Sequence, residues 1–260
     1  MNQDFFSDVK KTLSELFPLN YSLIEFNSHI LFVNSAGLYL ILHPYYDLGN
    51  EQFIQIELDP KKCIHLYQDQ WINQKDIIIS RIINRLGLSR KLAARSCTFE
   101  KINKKVAADF FKQNHLLGSC NVSHNYGLIH NGNLTLAASF SKSRVMVDGE
   151  VYYRSFELIR LASLKNTVVV GGLQKILRNF IKEKNVIHLM TYIDLNFGDG
   201  KSFENFGFKK IGSAQLQGFY VDQIANKRYS KKEYELMDNS KFEAKYIEEY
   251  STQKMILDLR

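Results

Sequence analysis

The sequence is poor in the residues that mark secreted, fibrous and membrane-spanning proteins. Its 260 residues include three prolines, which excludes a proline-rich linker and a collagen-like chain. Its three cysteines, Cys63, Cys97 and Cys120, lie far apart without metal-ligand spacing and cannot all pair. No apolar run approaches the ~18 residues of a membrane helix, and the polar, acidic start does not resemble a signal peptide. We therefore expect a cytoplasmic protein without a membrane partner.

What the chain has instead is a globular composition with an excess of positive charge. Hydrophobic residues make up 45% and charged residues 23%, which excludes a mainly disordered chain. A chain of this length buries a core as one large domain or two small ones. The formal net charge of +7 predicts an anionic partner.

The positive charge is concentrated in residues 75–112, which we call the basic segment. This segment holds ten Lys or Arg and three Asp or Glu, a net charge of +7. Residues 1–74 carry a net charge of −5, and residues 113–260 a net charge of +5. A basic stretch is either a solvated helix face or a surface that contacts phosphates without selecting a sequence. Its candidate phosphate-binding side chains are Arg81, Arg85, Arg90, Lys91 and Arg95.

Hydrophobic periodicity predicts two structured parts, and their fold class is α+β. Within residues 1–95 it predicts an amphipathic helix at 3–17, a small antiparallel β-meander and a helix at 73–86. The strands of the meander are expected at 21–26, 29–34, 38–43 and 51–58, with a further strand at 63–68.

Residues 96–222 show a mixed α/β order of hairpin, strand, glycine turn, helix, strand, helix and strand, preceded by a strand and a helix. The hairpin is indicated by Asn131-Gly132-Asn133. The helices are predicted at 103–113, 173–184 and 201–206, and the strands at 96–99, 126–130, 134–140, 153–162, 167–170, 186–192, 208–211 and 219–221. Residues 223–260 are polar and tyrosine-rich, and we expect them to wrap the surface with one strand at 254–257.

Gly171 and Gly172 form a candidate anion-binding turn between a strand and a helix. Two glycines let the backbone approach an anion, and the helix N-terminus offers unpaired N–H groups, with Lys175 one turn later. The location resembles the place where acetyltransferase-like (GNAT) folds hold the pyrophosphate of coenzyme A. The fuller glycine-rich signature is missing, so the alternative is a tight turn.

His115 and Asp194 are the candidate catalytic side chains. Histidine suits acid–base chemistry or metal ligation near neutral pH, but a helix C-terminus also favours a charged histidine for structural reasons. Asp194 follows an apolar strand, at the end where α/β proteins place functional groups, or else it forms a turn or a cap. Tyr192 and Tyr220 either stack on an exposed base or fill the core.

Two regions of the sequence resemble phage homing endonucleases of the Hef type. Residues 64–82, IHLYQDQWINQKDIIISRI, are similar to the end of their nuclease domain, which is related to the very-short-patch repair endonucleases. Downstream motifs resemble the domain that follows the nuclease, whose GNAT-like fold is similar to phage Mom, a protein that modifies adenine in DNA. In chain order these motifs are 114–118, Ser139-Phe140 with Arg144, 157–160, 170–172 with Lys175, 191–194, 205–208 and Phe219-Tyr220.

The resemblance, which covers residues 64–221, implies a domain organisation and a function. It implies a nuclease-like domain at 1–95, a GNAT/Mom-like domain at 96–222 and a C-terminal extension at 223–260. The positions that match functional residues of Mom are His115, Asp194 and Tyr220, with Tyr192 and Arg144 nearby.

On this basis we expect a phage or mobile-element protein that modifies adenine in duplex DNA and binds the duplex through the basic segment. The implied cofactor is either a divalent metal such as iron, with His115 as a ligand, or an acyl-CoA-type donor.

The chain departs from the family pattern in both domains. The acid expected before Gly-Leu-Tyr is Asn34, and the following Trp-His is Leu40-Ile41. Glu25 alone does not make a metal site, so we expect no nuclease activity. The family glutamine of the second domain is Leu117. The alternatives are therefore a catalytically inactive DNA-binding protein and an acyl-CoA N-acetyltransferase.

Overall fold

Each of the two compact units of the protein is built from two stretches of the chain. The computed structural model describes residues 3–17, 22–27, 30–33, 36–45, 59–237 and 244–260. The first unit comprises Met1–Ile79 and Gln215–Ser251, and the second comprises Ser80–Ala214 and Thr252–Arg260. This division differs from the predicted bounds of 1–95, 96–222 and 223–260. Among the described helices, none has the length and apolar character needed to cross a membrane.

The first unit opens with an amphipathic helix and a small sheet. In helix α1 (Gln3–Leu16), Phe5, Val9 and Leu13 are buried at helical spacing, as predicted. The sheet contains β1 (Leu23–Asn27), β2 (Ile30–Val33), β3 (Leu38–His43) and β4 (Cys63–Tyr67). The first three strands form the predicted antiparallel meander, and β4 pairs parallel to β3. The predicted strand at 51–58 lies outside the described residues.

Helix α2 (Gln68–Arg85) begins earlier than predicted because it is kinked. Its backbone leaves helical geometry at Gln74 (φ −139°, ψ 31°), so the helical periodicity is regular only after this residue. Before the kink, Trp71 is buried and donates its indole N–H to Asp8 at 2.7 Å, and Lys75 donates to the same carboxylate at 2.8 Å. These two donors fasten α2 to α1.

The remainder of the first unit comes from late in the sequence. It consists of β14 (Gln215–Asp222), β15 (Lys227–Ser230), α6 (Lys231–Glu235) and the first part of β16 (Ala244–Asp258), with the strands in the order β15-β14-β16. Arg228 on β15 forms an ion pair with Asp69 on α2, with side chains only 16% and 3% exposed. A nearly desolvated charge pair therefore joins the two stretches of the first unit.

The second unit is built around a mixed sheet. Its strands are β5 (Arg90–Ala93), β6 (Thr98–Lys101), β7 (His124–His130), β8 (Asn133–Phe140), β9 (Arg144–Asp148), β10 (Val151–Ser163), β11 (Thr167–Val170), β12 (His188–Asp194), β13 (Lys209–Lys210) and the end of β16. Its helices are α3 (Lys104–Asn114), α4 (Gly172–Lys184) and α5 (Lys201–Glu204). The main sheet has the order β6-β7-β8-β10-β12-β16, while β11 pairs parallel to β5 in a separate ribbon.

Helix α4 forms the crossover between the two parallel strands of the main sheet. Strands β10 and β12 pair parallel over 156–158 and 189–191, whereas the other pairs along the main order of this sheet are antiparallel. Phe180 of α4 stacks on Phe140 of β8 with ring centroids 3.7 Å apart, and both rings are fully buried. The core therefore lies between α4 and the sheet.

The predicted hairpin joins β7 and β8 and is confirmed, with Asn131 and Gly132 at φ 48° and 77°.

Strand β16 corrects the prediction that residues 223–260 wrap the surface. From Thr252 to Asp258 it pairs with β12, and Met255 and Leu257 belong to the core of the second unit at 0% and 3% exposure. The predicted strand at 254–257 is the apolar end of an element whose earlier residues are mostly polar. Residues 244–258 are therefore an integral strand.

Candidate functional site

Two turns of the second unit carry the two predicted catalytic residues. His115 caps the C-terminus of α3, where its backbone N–H donates to the Phe111 carbonyl at 2.9 Å. Asp194 is the last residue of β12. The predicted positions of the histidine at a helix end and of the aspartate at a strand end are therefore confirmed.

The His115 imidazole is neutral and has a defined tautomer. Its Nδ1 accepts the backbone N–H of Leu117 at 3.1 Å, so the proton of the neutral ring lies on Nε2. Burial, together with the charges of Arg81 and Arg160, lowers the pKa of His115 to about 3. These effects outweigh the helix dipole, which by itself favours the charged form. His115 is therefore a hydrogen-bond donor through Nε2, and this state suits neither a general base nor a metal ligand.

Asp194 is held by a turn and belongs to the group of four neighbouring side chains His115, Arg81, Asp194 and Arg160, whose surroundings we call the recess. Its Oδ1 accepts the N–H of Asn196 at 2.9 Å, and its carbonyl accepts the N–H of Gly198 at 3.2 Å. Burial raises the pKa of Asp194, although the Asn196 N–H and the positive charge of Arg81 oppose this effect. Much of the side-chain surface nevertheless stays open to solvent. Asp194 is thus surrounded by protein on several sides and accessible on another.

Arg81, in the last turns of α2, connects the two turns electrostatically. Its charge acts on both the His115 imidazole and the Asp194 carboxylate. Its guanidinium carbon lies 5.6 Å from the ring centroid of Phe197, within the turn that starts at Asp194. The sequence predicted Arg81 as a candidate phosphate-binding side chain, and the structure places it, partly buried, beside Phe197. The signal available in the sequence was its position one turn from Ile77 and Ile78, on a helix with a buried face.

Arg160 completes the recess from strand β10. A register shift against β8 between Leu158 and Arg160 interrupts the regular alternation of the strand. The Arg160 Nε donates to the Gly118 carbonyl at 3.3 Å, and its Nη1 donates to the Ile159 carbonyl at 2.9 Å. Gly118 belongs to the turn that starts at His115, with its N–H on the His115 carbonyl at 2.8 Å. Arg160 ends the motif at 157–160 that resembles the family pattern, but the sequence gave it no role at the site.

The two candidate tyrosines lie in different units. Tyr192 is 46% exposed on β12, and because side chains alternate along a strand it shares a face with Asp194. Tyr220 lies on β14 of the first unit, where its ring stacks on Tyr234 with centroids 3.8 Å apart. The structure therefore groups Tyr192 with Asp194 and gives Tyr220 an aromatic partner of its own.

The basic segment divides into exposed and engaged cations. Arg90 and Lys91 on β5 and Arg95 in the following turn are exposed, whereas Arg85 is half-buried. Within the described residues, no ion pair engages the first three of these side chains. Lys101, by contrast, pairs with Glu183 at 2.9 Å.

The Gly171-Gly172 turn has a structural reason for both glycines. Gly171 caps α4 at φ 78°, and a Cβ on Gly172 would lie 2.7 Å from Leu136 Cδ1. Lys175 donates its ammonium to the carbonyl of Ala94 at 3.0 Å and also to that of Cys97. The helix N-terminus has no side-chain cap, but the predicted lysine is held by neighbouring backbone.

Two further predicted residues are engaged in exposed or partly exposed ion pairs. Glu25 on β1 pairs with Lys10 at 2.9 Å, and Arg144 on β9 pairs with Glu157 at 2.7 Å. Asn34 lies outside the described residues. Among the residues that the structure describes, no group of three His, Cys, Asp or Glu is arranged to hold a metal. The donor set around His115 does not fit a cation either, since two guanidiniums repel it.

Comparisons with known proteins find similarity in structure alone. No protein-family model matches the chain, and no curated protein matches it in sequence. Similar solved structures include the ribosomal-protein-S18-alanine N-acetyltransferase from Escherichia coli, at 14% identity over 63% of this chain and 94% of that chain, with a TM-score of 0.38. The IAA acetyltransferase from Bacillus cereus matches at 14% identity over 63% and 100%, with a TM-score of 0.37.

A third similar structure is a Bacillus subtilis acetyltransferase in complex with CoA, at 12% identity over 63% of this chain and 99% of that chain, with a TM-score of 0.39. Scores this low carry no argument about fold or activity. The mixed α/β description of the second unit rests on its own strand order, strand directions and α4 crossover.

Proposed function

We propose that the second unit is a group-transfer enzyme with a GNAT-like fold that modifies adenine in DNA, as Mom does. The observation that carries the proposal is that His115 and Asp194, which are far apart in the sequence, both lie close enough to Arg81 for its charge to influence their pKa values. Titratable groups with perturbed pKa values in one recess are typical of reactive sites.

The geometry gives the two residues separate roles. When the amino group of the base forms its new bond to the transferred carbon, it must lose a proton, and the donor's leaving group departs with the bonding electron pair. Asp194 accepts this proton, because a carboxylate with a raised pKa is a stronger base than an ordinary one. His115 donates a hydrogen bond through Nε2 to negative charge that develops during transfer.

Access to the base is the second requirement of this proposal. An adenine inside a duplex must leave the base stack before its amino group reaches Asp194. Tyr192, on the same face of β12 and half exposed, offers a ring on which the extruded base stacks. Arg90, Lys91 and Arg95 are exposed and free to contact the phosphate backbone.

The test is nucleoside mass spectrometry of DNA from cells that express the protein. We expect a modified adenine with the wild type and with Asp109→Asn, an exposed carboxylate on α3, but none with Asp194→Asn. His115→Ala should lower the modified fraction strongly. Identical adenine profiles for wild type and Asp194→Asn would exclude the proposal.

A DNA-binding protein without chemistry is the second candidate, because the exposed cations of the basic segment do not depend on the recess. In this case the first unit is a nuclease-like fold that has lost its activity, derived from a Hef-type homing endonuclease, and Glu25 serves only as the partner of Lys10. Duplex binding that weakens steeply with salt, and that His115→Ala leaves unchanged, would favour it. Metal-dependent DNA cleavage abolished by Glu25→Ala would contradict the loss of nuclease activity.

An acyl-CoA N-acetyltransferase is the third candidate, and the uncapped N-terminus of α4 behind Gly171 favours it. Calorimetry with acetyl-CoA tests it directly. The absence of a heat signal at high concentration would remove this candidate.

A further inference from the structure

The second unit contains a partly exposed arginine, Arg81, whose Nε is buried without a hydrogen bond. Its charge and that of Asp194 influence each other, but among the described residues its guanidinium makes no hydrogen bond or ion pair. A guanidinium presents five N–H donors in a rigid fork, and leaving one of them buried without an acceptor is destabilising. The side chain is held instead against the Phe197 ring. An oxyanion offers the acceptor oxygens that such a donor requires.

A second guanidinium lies beside the same recess. Arg160 uses Nε and Nη1 on the carbonyls of Gly118 and Ile159, which fixes its orientation. Its Nη2 makes no hydrogen bond to any residue that the structure describes. Arg160 is thus positioned by the backbone and keeps donor capacity for a further group.

The balance of charge around the recess also favours an anion. Arg81 and Arg160 both act on His115, which is neutral and carries its proton on Nε2. Asp194 supplies one negative charge, so the four side chains carry a net charge of +1. The available groups are mostly donors: two guanidiniums and one imidazole N–H. Forked guanidiniums match the oxygen geometry of phosphate.

We propose that Arg81, Arg160 and His115 form a binding site for a phosphate-type oxyanion. The anion would bind beside Asp194, so its part in the reaction rests on the proposed function. Two sources share this chemistry, a phosphodiester of the DNA and a phosphate of the group donor. In either case Arg81 positions the substrate for the chemistry of Asp194.

Calorimetry with inorganic phosphate tests the site without requiring any activity. We expect saturable binding by the wild type, and binding that is at least about tenfold weaker for Arg81→Gln and Arg160→Gln, as expected for the loss of charge-assisted hydrogen bonds. Arg178→Gln, an exposed arginine on α4 with the same change of charge, is the matched control and should bind as the wild type does. Equal affinities of all variants, or no saturable binding by the wild type, would overturn the proposal.

Thermal unfolding provides a second measurement that guards against misfolding. Without phosphate, Arg81→Gln should melt at about the same temperature as the wild type, because among the described residues it breaks no hydrogen bond or ion pair and it removes a donor that is buried without an acceptor. Added phosphate should raise the melting temperature of the wild type and of Arg178→Gln, but not that of Arg81→Gln. An equal rise in all three proteins would mean an adventitious ion only.

Competition distinguishes the two sources of the anion. If the site takes a DNA phosphodiester, a short duplex displaces phosphate and coenzyme A does not; if it takes a donor phosphate, a phosphate-bearing donor such as coenzyme A displaces it. Phosphate binding that depends on Arg81, together with unmodified adenine in cells, would support the anion site and refute the proposed function. Modified adenine whose level is unaffected by Arg81→Gln would refute the anion site alone.

Discussion

At the scale of single residues, the recess shifts the pKa values of His115 and Asp194 in opposite directions. Burial and two arginines keep His115 neutral, whereas burial raises the pKa of Asp194 against the charge of Arg81. A carboxylate in this position is destabilised in the folded state relative to the unfolded chain. The ionised Asp194 carboxylate therefore lowers the stability of the fold, while its raised pKa favours proton transfer.

The first prediction concerns Asp194→Asn. Because the folded-state pKa is raised, ionised Asp194 lowers stability above that pKa, and the penalty vanishes once the pH falls below the ordinary carboxyl value. We therefore expect Asp194→Asn to raise the melting temperature at about pH 7 and to leave it unchanged at about pH 3. Differential scanning calorimetry of both proteins at the two pH values measures this. A lower melting temperature for the variant at about pH 7 would contradict it.

The sequence indicated only part of the recess. His115 and Asp194 were predictable, because a histidine after a helix and an aspartate after an apolar strand are local patterns. Arg81 was predicted as one of five candidate phosphate-binding cations, since local charge density does not show which arginine is partly buried. That distinction depends on contact with Phe197, a residue far away in the sequence.

At the scale of elements, helix α2 shows how tertiary contacts shape a helix beyond its periodicity. The helix is interrupted at Gln74, and the residues on either side are fixed by polar contacts to α1 and β15. Strong periodicity predicted the regular part of α2 and most helices and strands of residues 96–222. The extent of β16 could not be predicted, because its polar first half is stabilised by strand pairing rather than by an apolar pattern.

The second prediction concerns the buried ion pair between Asp69 and Arg228. Removing one member leaves the other charge desolvated, so Asp69→Ala should lower the free energy of unfolding by about 3–5 kcal/mol. Glu235→Ala breaks an exposed pair with Lys231 at 4.0 Å and should change it by less than about 1 kcal/mol. Urea unfolding of both variants measures the difference. Similar losses in the two variants would show that the burial of Asp69 is unimportant.

The third prediction concerns Asp8, which receives hydrogen bonds from α2. Burial alone raises the pKa of Asp8, but the hydrogen bonds from Lys75 and Trp71 outweigh it and lower the pKa. The stabilisation is therefore present above the ordinary carboxyl pKa and is lost as the pH falls through the lowered value.

Asp8→Asn should cost about 0.5–1 kcal/mol near neutral pH, a figure reduced for solvent screening of this partly exposed pair. The loss should shrink in strongly acidic solution, while Glu15→Gln on the exposed side of α1 should have no effect at either pH. Denaturant titrations across the acidic range supply the measurement. A constant loss at every pH would contradict the role of the Asp8 charge.

At the scale of the whole molecule, the positively charged side chains differ in whether they are exposed to solvent or engaged with other groups of the protein. The net charge of the basic segment, +7, equals the net charge of the whole chain, yet Arg81 lies in the recess and Lys101 is paired with Glu183. The exposed cations Arg90, Lys91 and Arg95 remain available to an anionic polymer. Of the five candidate phosphate-binding side chains in this segment, the exposed ones are therefore those on β5 and in the turn after it.

The fourth prediction concerns these exposed cations. Changing Arg90, Lys91 and Arg95 to Glu should weaken duplex binding strongly and reduce the slope of log affinity against log salt by about 2 to 3. Changing Lys209, Lys231 and Lys232 to Glu alters the net charge equally and should leave most of the slope intact. Fluorescence anisotropy with a labelled duplex at several salt concentrations distinguishes them. Equal effects of the two triple variants would indicate binding through net charge alone.

Strand β16 has a consequence for the order in which the protein is made. The ribosome synthesises residues 80–214 long before residues 252–258, yet the strand that covers β12 and supplies Met255 and Leu257 to the core belongs to the later stretch. Residues 1–79 likewise belong to a unit that is complete only once residues 215–251 have been synthesised. Neither unit reaches its native set of contacts before residues 215–258 have been synthesised, so a shorter nascent chain exposes β12 and core surface that β16 later covers.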